Sequence, residues 1–239
     1  TLSEEDFNNY LTSAKNILEE RDNSTRDLFG RYLDEIYYNK FIFNRRELML
    51  QYVKKITFEE FRNFNPELSK YIYKLSEEDT KGVDRSNRGG WHSNTFEMKD
   101  KNSIQFKFAL ELQKYILKTF KNFGWKTENQ NIRIREMWAI INKKDDFNVI
   151  HTHPNACLSA AYYVKAPKNC GRFQVENMNM AKKHSSPLIA NKNELNMQLA
   201  GLEVSEGDLL IFPGYLPHTV AKNESDEDRI VISFNVDIK

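Results

Sequence analysis

The sequence predicts a mainly β protein, a sandwich or jelly roll, that follows a helical N-terminal part. From about residue 131 onward, short apolar segments partly alternate with polar residues. Turns such as Pro167-Lys168-Asn169 separate these segments, and no helical pattern lies between them. Short strands at close spacing, without intervening helices, are typical of sandwiches and jelly rolls and not of parallel α/β folds.

Residues 1–75 are interpreted as a helical N-terminal segment, and residues 76–239 as the domain that contains the strands. Apolar residues recur at helical spacing near the start of the chain, at Phe7, Tyr10, Leu11 and Ala14. Thr57 and Glu60 resemble a capping box and predict another helix there. A scaffold or a dimer surface is the expected role of this segment, so a homodimer is one hypothesis.

The middle of the chain predicts a Gly-rich loop and then one long helix. The loop is expected over 82–95 and the helix over about 103–123, with Gly124 as its stop. One side of this helix is expected to carry Phe106, Leu110, Gln113 and Leu117. Strands are expected at 132–141, 148–151, 157–165, 171–176, 199–204, 208–212, 218–222 and 229–237. A polar insertion is expected over 177–198.

The composition gives no argument for a nucleic-acid or membrane partner. Lys and Arg total 35 and Asp and Glu total 34, so the formal net charge is close to zero. No apolar run approaches the length of a membrane span. The cysteines are Cys157 and Cys170, too few to suggest a disulfide scaffold, and we expect a reduced, cytoplasmic protein.

Three of the five histidines indicate a metal site. His151 and His153 are two residues apart on a predicted strand, where alternate side chains point to the same face. His218 follows a Pro-Gly corner and begins a later strand, which a jelly roll can return to the same rim. Taken alone, an HxH pair more often consists of ordinary strand histidines. With His218 the set predicts a three-nitrogen site with open coordination positions.

Arg229 is the fourth candidate. The acidic run 224–228 is typical of a hairpin turn, which would place Arg229 beside the strand that starts at His218. An arginine among isoleucine and valine needs an anion if it is buried, and a carboxylate is its natural partner. A surface arginine at a strand edge is the alternative.

Taken together, these residues resemble the Fe(II)/2-oxoglutarate oxygenases, in particular an uncharacterised bacterial and phage branch. The resemblance covers about residues 80–239 and depends on several ordered motifs. These motifs are Ser86-Asn87 with Gly89-Gly90-Trp91-His92-Ser93, Trp138 with Asn142, His151 with His153-Pro154 and Leu158-Ser159, Tyr162-Tyr163, Phe212-Pro213 with Pro217-His218, and Arg229 with Ser233-Phe234-Asn235.

The resemblance implies a double-stranded β-helix with Fe(II) at one open end and 2-oxoglutarate as co-substrate. It implies His151 and His218 as iron ligands and Arg229 as the anchor of 2-oxoglutarate. The implied reaction hydroxylates a C–H bond of a small molecule or peptide and releases succinate and CO2. Ser159, Tyr163 and Trp138 are expected to line the pocket, although aromatic residues in such strands more often belong to the core.

One position departs from the family pattern. The wider superfamily has HxD or HxE, whereas this chain has His153 at the third position. We expect His153 to be the third ligand; the alternatives are Glu176, a water molecule, or an ion other than iron. Two other functions stay open, namely a cupin-type three-histidine metalloenzyme that does not use 2-oxoglutarate and a non-catalytic binding module on the same fold.

Overall fold

The computed structural model describes Leu50 and residues 52–57, 59–179, 187–193 and 196–238. The chain divides into two compact units, one of residues 1–47 with 192–196 and one of 48–191 with 197–239. The helices and strands described below all belong to the second unit. Most of the predicted helical segment 1–75, including its first helices, lies outside the described residues. In the described residues no helix is both long and apolar enough to cross a membrane.

The described residues of the second unit form two antiparallel sheets and the helices named here. The helices are α1 (Glu59–Arg62), α2 (Asn65–Glu78) and α3 (Ile104–Asn122). The strands are β1 (Lys54–Thr57), β2 (Asn87–Arg88), β3 (Trp91–His92), β4 (Ile132–Asn142), β5 (Phe147–His151), β6 (Leu158–Lys165), β7 (Phe173–Glu176), β8 (Leu199–Leu202), β9 (Asp208–Pro213), β10 (His218–Val220) and β11 (Arg229–Ile238).

The strand order is that of a jelly roll, which confirms the predicted fold class. The larger sheet runs β1-β9-β6-β11-β4-β3 and the smaller sheet runs β2-β5-β10-β7-β8. All the pairings described are antiparallel. Each predicted strand from 132 onward is present, with ends shifted by at most two residues. β2 and β3 lie within the region predicted as a loop.

Helices α2 and α3 cover the outer face of the larger sheet, because their apolar sides need a partner surface. Phe108, on α3, is fully buried and packs against the rings of Phe61, Phe64 and Tyr162. The Tyr162 hydroxyl donates to the side chain of Asn65 at 2.7 Å, which fixes α2 on β6. Burying these large rings supplies the main stabilisation of this layer.

The predicted helix is confirmed over Ile104–Asn122, and Gly124 follows it at φ 69°. The buried side of this helix is a different one from the side that carries Phe106, Leu110, Gln113 and Leu117. The buried residues are Gln105, Phe108, Leu112, Ile116, Thr119 and Phe120. Leu110 and Leu117 are 56% and 39% exposed. Apolar residues occur on more than one side of α3, so packing decides which side is buried. The buried side carries the large apolar residues Phe108, Leu112, Ile116 and Phe120.

Lys54–Thr57 lies within the segment predicted as helical and instead forms the edge strand β1. It pairs with β9 from Lys54 opposite Ile211 to Thr57 opposite Asp208. Asp208 is fully buried and accepts from the Thr57 hydroxyl at 2.5 Å and pairs with Lys55 at 2.7 Å. These contacts to one buried carboxylate hold a short polar strand that has little strand propensity of its own.

Replacing Phe108 with alanine tests the outer layer. We expect Phe108→Ala to lower the free energy of unfolding by about 3–5 kcal/mol, since it removes a fully buried ring and leaves a cavity. Urea unfolding followed by circular dichroism measures the change. Leu110→Ala on the exposed side of the same helix is the matched control and should change it by well under 1 kcal/mol, roughly the surface range. Equal losses in the two variants would contradict this assignment of the buried face.

Candidate active site

A cavity of about 610 Å³ lies between the two sheets. Side chains on alternate positions of the central strands line it, while their neighbours pack towards the helices. On β4 the lining residues include Glu136, Trp138, Ile140 and Asn142, and on β11 they are Arg229, Val231, Ser233 and Asn235. The alternation of strand side chains therefore divides each central strand between the core and the cavity.

The structure brings His151, His153 and His218 together at this cavity. His151 ends β5, and the antiparallel register places His218, the first residue of β10, directly opposite it. His153 lies just beyond β5, where its backbone N–H donates to Gly214 O at 2.8 Å. The ligand atoms of the three rings all lie within 4.8 Å of one another. Small side-chain rotations would bring three imidazole nitrogens onto one ion at about 2.1 Å.

Backbone carbonyls select the tautomer of two of these rings. His151 Nδ1–H donates to Val149 O and His218 Nδ1–H donates to Leu216 O, each at 2.8 Å. A carbonyl oxygen only accepts, so the proton lies on Nδ1 and the Nε2 lone pair is left for an ion. Metal-binding histidines are commonly oriented by such bonds.

Burial keeps all three histidines neutral. Desolvation lowers the pKa of His151 and, more strongly, that of His218. Desolvation, assisted by nearby His151, lowers the pKa of His153 to about 4. A metal ligand must be deprotonated, so the site is prepared for an ion at neutral pH. The donor set of three imidazoles suits a divalent first-row metal such as iron, zinc or copper.

Glu176, the alternative third ligand, lies apart from this cluster. It is the last residue of β7, and Val175 is the residue of that strand opposite His218. Phe173 lines the cavity, and the alternation of β7 directs Glu176 to the other face of the sheet. Glu136 is the carboxylate that lines the cavity in the described residues, and Arg135 and Asn235 bind it at 2.8 and 2.7 Å.

Arg229 is fully buried on the cavity wall, at the start of β11. Its Nη1 donates to the backbone oxygens of Cys170 and Ala221, and its Nη2 donates to the side-chain oxygen of Asn142 at 2.9 Å. None of these partners is charged. Burial lowers the pKa of Arg229, yet a guanidinium stays protonated in proteins. The cavity therefore contains a buried cation with no carboxylate paired to it in the described residues.

Polar groups without partners face the same cavity. In the described residues, the buried N–H groups Trp138 Nε1, Asn142 Nδ2 and Arg229 Nε have no hydrogen-bond acceptor. All three side chains line the cavity. An unpaired buried donor costs about 1–3 kcal/mol, so their concentration on one wall indicates a site shaped for a ligand with several acceptor oxygens.

Gly171 permits the position of Arg229 and was not identified from the sequence. Its φ is 90°, and a Cβ there would lie 2.4 Å from Ala221 O and 2.8 Å from Arg229 Nη1. Any larger residue would therefore displace the guanidinium or the backbone that holds it. Its position in the turn after Pro167-Lys168-Asn169 was the available signal, although a turn glycine alone does not indicate what it adjoins.

The expected pocket residues divide into two groups. Tyr163 and Trp138 line the cavity, and Trp138 stacks on His153 with centroids 5.9 Å apart. Ser159 is fully buried and lies outside the cavity lining, where its hydroxyl donates to Phe234 O at 3.4 Å. Asn142 and Asn235 belong to the motifs noted above but were not assigned to the site. Asn142 follows Trp138 by four residues and Asn235 follows Ser233 by two, so strand alternation places each pair on one face. This spacing was the available signal for their place in the cavity.

The fold and the cavity define a class of protein: a jelly roll with three histidines that could hold a metal ion and a buried cation on one cavity wall. A family model described as "Putative 2OG-Fe(II) oxygenase" matches residues 136–235. This segment, which holds the triad and Arg229, is similar to the 2-oxoglutarate–Fe(II) oxygenases. The predicted enzyme class and its cofactors, Fe(II) and 2-oxoglutarate, are confirmed at the level of the family. No curated protein sequence matches the chain.

Solved structures share this fold at low sequence identity. A prolyl-4-hydroxylase from Pseudomonas putida is 12% identical, with a TM-score of 0.55 over 77% of this chain and 92% of its own. HygX from Streptomyces hygroscopicus, with nickel, 2-oxoglutarate and hygromycin B bound, is 14% identical, with a TM-score of 0.54 over 80% and 86%. A Trichoplax adhaerens prolyl hydroxylase in complex with a hypoxia-inducible-factor peptide fragment is 11% identical, with a TM-score of 0.54 over 84% and 91%.

The depressed histidine pKa values predict acid sensitivity of the metal-free protein. The unfolded chain takes up a proton near pH 6.5, whereas folded His153 resists until about pH 4. The contribution of His153 to stability is therefore constant above pH 6.5 and falls as the pH decreases from there towards 4, by up to about 1.4 kcal/mol per pH unit. Urea unfolding in the presence of a chelator measures this slope.

His153→Gln is the matched variant for that measurement. It removes one titrating group, so we expect its stability to fall less steeply than that of the wild type below pH 6.5. An identical pH dependence in the two proteins would show that His153 is not held neutral by the fold.

Proposed function

We propose that this protein is an Fe(II)- and 2-oxoglutarate-dependent dioxygenase in which His151, His153 and His218 hold the iron and Arg229 binds the distal carboxylate of 2-oxoglutarate. One observation carries the proposal: a buried guanidinium with no acidic partner in the described residues lines the same cavity as three neutral imidazoles. The family match of residues 136–235 supports the same conclusion.

A carboxylate is the ligand that Arg229 needs. Its Nη atoms donate to neutral oxygens, and its Nε–H has no acceptor among the residues that the structure describes. An unpaired buried charge is strongly unfavourable, and a carboxylate supplies both the opposite charge and acceptor atoms. A dicarboxylate would place one end at Arg229 and leave its 2-oxo acid end for the metal. Tyr163, whose pKa burial raises far above neutral pH, stays protonated beside it.

His153 is proposed as the third ligand because it lies within the cluster while Glu176 does not. With no carboxylate among the ligands, the ion would be held by three neutral nitrogen atoms. Glu136 lies close enough for its charge to act on His153, but Arg135 balances that charge. Arg135 is in turn paired with Asp237 at 3.2 Å.

Fe(II) bound with 2-oxoglutarate and O2 supplies the oxidising chemistry, in which 2-oxoglutarate becomes succinate and CO2 while a substrate C–H bond is hydroxylated. The chain contributes geometry and a protected cavity. His151 and His218 are held by backbone carbonyls, so their Nε2 atoms are preset. The rings of Phe212 and Phe173 pack against His218 and exclude water from that side.

A small molecule or a peptide is the proposed substrate. Similar folds are solved with hygromycin B and with a peptide fragment. A cavity of about 610 Å³ is in the range of small-molecule sites. The triad without a carboxylate also favours a cupin-type enzyme that does not use 2-oxoglutarate. Arg229 distinguishes the two, because such an enzyme leaves its buried charge without a partner.

Oxygen consumption tests the choice between these functions. With Fe(II) present, we expect O2 uptake and succinate release only when 2-oxoglutarate is added, since the co-substrate supplies the electrons for O2 reduction. An O2 electrode and succinate quantification measure this. Uptake that is independent of 2-oxoglutarate would favour the cupin-type alternative, and absence of Fe(II) binding would favour a binding module.

Replacing His218 tests the metal site. His218→Ala removes one of three nitrogen ligands, and we expect Zn(II) affinity to fall by at least about 100-fold, in the range seen when even supporting groups of a site are lost. Isothermal titration calorimetry of the wild type and the variant measures the change. His92→Ala is the control, because His92 is a histidine outside the three-histidine cluster. An unchanged affinity in His218→Ala would contradict the proposed ligand set.

Replacing Arg229 tests the co-substrate site. In Arg229→Met we expect the Kd of 2-oxoglutarate to rise by about 100-fold, equivalent to about 2.7 kcal/mol for a charge-assisted pair. Zn(II) affinity should stay the same, because Arg229 binds no metal. Calorimetry of the Zn(II) protein measures both. Arg133→Met, an exposed arginine outside the cavity lining, is the control. Equal 2-oxoglutarate affinity in both variants would exclude Arg229 as the anchor.

A further inference from the structure

We propose that the substrate carries an anionic group, a carboxylate or a phosphate, which Arg85 binds where the cavity opens to solvent. This inference depends on the proposed function, because it takes the cavity to be the active site of an oxygenase. It adds a chemical class of substrate and the residue that recognises it.

The charge of the cavity is the first argument. In the described residues, its lining includes three arginines and one glutamate. Arg135 is balanced by Glu136 and Asp237. In the proposed complex the two carboxylates of 2-oxoglutarate face Arg229 and the metal. Three neutral imidazoles add no charge, so a divalent ion bound by one carboxylate of 2-oxoglutarate keeps one positive charge. A carboxylate ligand from the protein would have removed that charge. Arg85 adds a second positive charge. An anionic substrate compensates this excess.

Arg85 is the cation available to the substrate. It is exposed and lines the cavity, so it lies at the opening. Its guanidinium forms no ion pair with any residue that the structure describes. A guanidinium presents a planar fork of donors that matches a carboxylate or a phosphate.

The loop that carries Arg85 is fixed to the rest of the site. The Asn87 side chain accepts from the Arg85 backbone N–H at 2.8 Å. Val149, on β5, donates its backbone N–H to Ser86 O at 2.9 Å, and Val83 donates to His92 O at 2.9 Å. Neighbouring residues thus tie Arg85 both to the strand that ends at His151 and to β3. These hydrogen bonds fix the backbone of the loop, so the charge of Arg85 is held near a defined position at the opening.

A wall of stacked rings connects the triad to this opening. Trp138 stacks on His153 at 5.9 Å and on His92 at 5.7 Å, and all three rings line the cavity. The charge of Arg85 acts on His92, next along the wall. Trp138 Nε1 is a buried donor without an acceptor among the described residues. A substrate lying along this wall would place an oxygen at Trp138, its anionic group at Arg85 and its reactive C–H bond near the triad.

Matched compounds test the proposal. The probes are a panel of N-acetyl amino acids, their primary amides, which lack only the negative charge, and simple phosphate monoesters. Binding to the Zn(II)·2-oxoglutarate protein is measured by calorimetry, and stimulation of succinate release is measured with Fe(II). We expect at least one acid or phosphate to bind about tenfold or more tightly than its neutral counterpart, and added salt to weaken the anion alone. Comparison of the N-acetyl amino acids with the phosphate monoesters distinguishes a carboxylate substrate from a phosphate substrate.

Variants of Arg85 assign the preference to this residue. Arg85→Gln should abolish it, Arg85→Lys should keep part of it because the charge remains, and Arg133→Gln should leave it intact. A panel in which no anion is preferred, or a preference that persists in Arg85→Gln, overturns the proposal. Failure of the oxygenase function would be seen separately, in assays that contain no panel compound. There the wild-type protein would show neither binding nor turnover of 2-oxoglutarate.

Discussion

The register of β11 is the constraint on which the site depends. This strand pairs with β4 on one side and with β6 on the other, so its position is fixed twice. Ile230 and its alternate neighbours pack under the helices, and Arg229 with its alternate neighbours faces the cavity. A shift by one residue would exchange the two faces and place a guanidinium in the apolar core. The hydrophobic core thus specifies the position of the charged residue, and the core and the site are selected together.

The cavity wall is held in an energetically unfavourable state by its surroundings. Within the described part of the chain, Arg229 has no counter-charge and several buried N–H groups have no acceptor, and both reduce the stability of the metal-free protein. The apolar layer under α2 and α3 offsets that cost. Ligand binding supplies the absent partners, so stability and co-substrate binding are thermodynamically linked, and the loaded protein is expected to be the more stable form. Sites that are pre-organised for a ligand commonly have this arrangement.

Much of the fold and the centre of the site could be predicted from sequence, and the failures have physical reasons. His151, His153 and His218 were found because strand alternation is a local signal. Arg229 was found although the hairpin predicted for it was wrong, because β10 and β11 lie in different sheets and β11 pairs with β4 and β6. Lys54–Thr57 was missed as a strand because its stability comes from Asp208, which is 151 residues from Thr57. Ser159 lies on the same face of β6 as the cavity residue Tyr163. Its position along the strand, however, places it beyond the end of the cavity. A sequence does not show where a cavity ends. Gly171 was missed for a related reason, since its function depends on a distant arginine.

The edge strand β1 also has a consequence for association between molecules. Unpaired strand edges are templates for the addition of another chain, and the larger sheet would otherwise end at β9, a strand buried along its whole length. β1 occupies that edge with a segment of four residues that begins with two lysines. Repulsion between lysines and the short length both disfavour further strand addition. A variant that lost the contacts of Asp208 with β1 would therefore expose the apolar edge of β9. Such a variant would be prone to assemble into oligomers or fibrils.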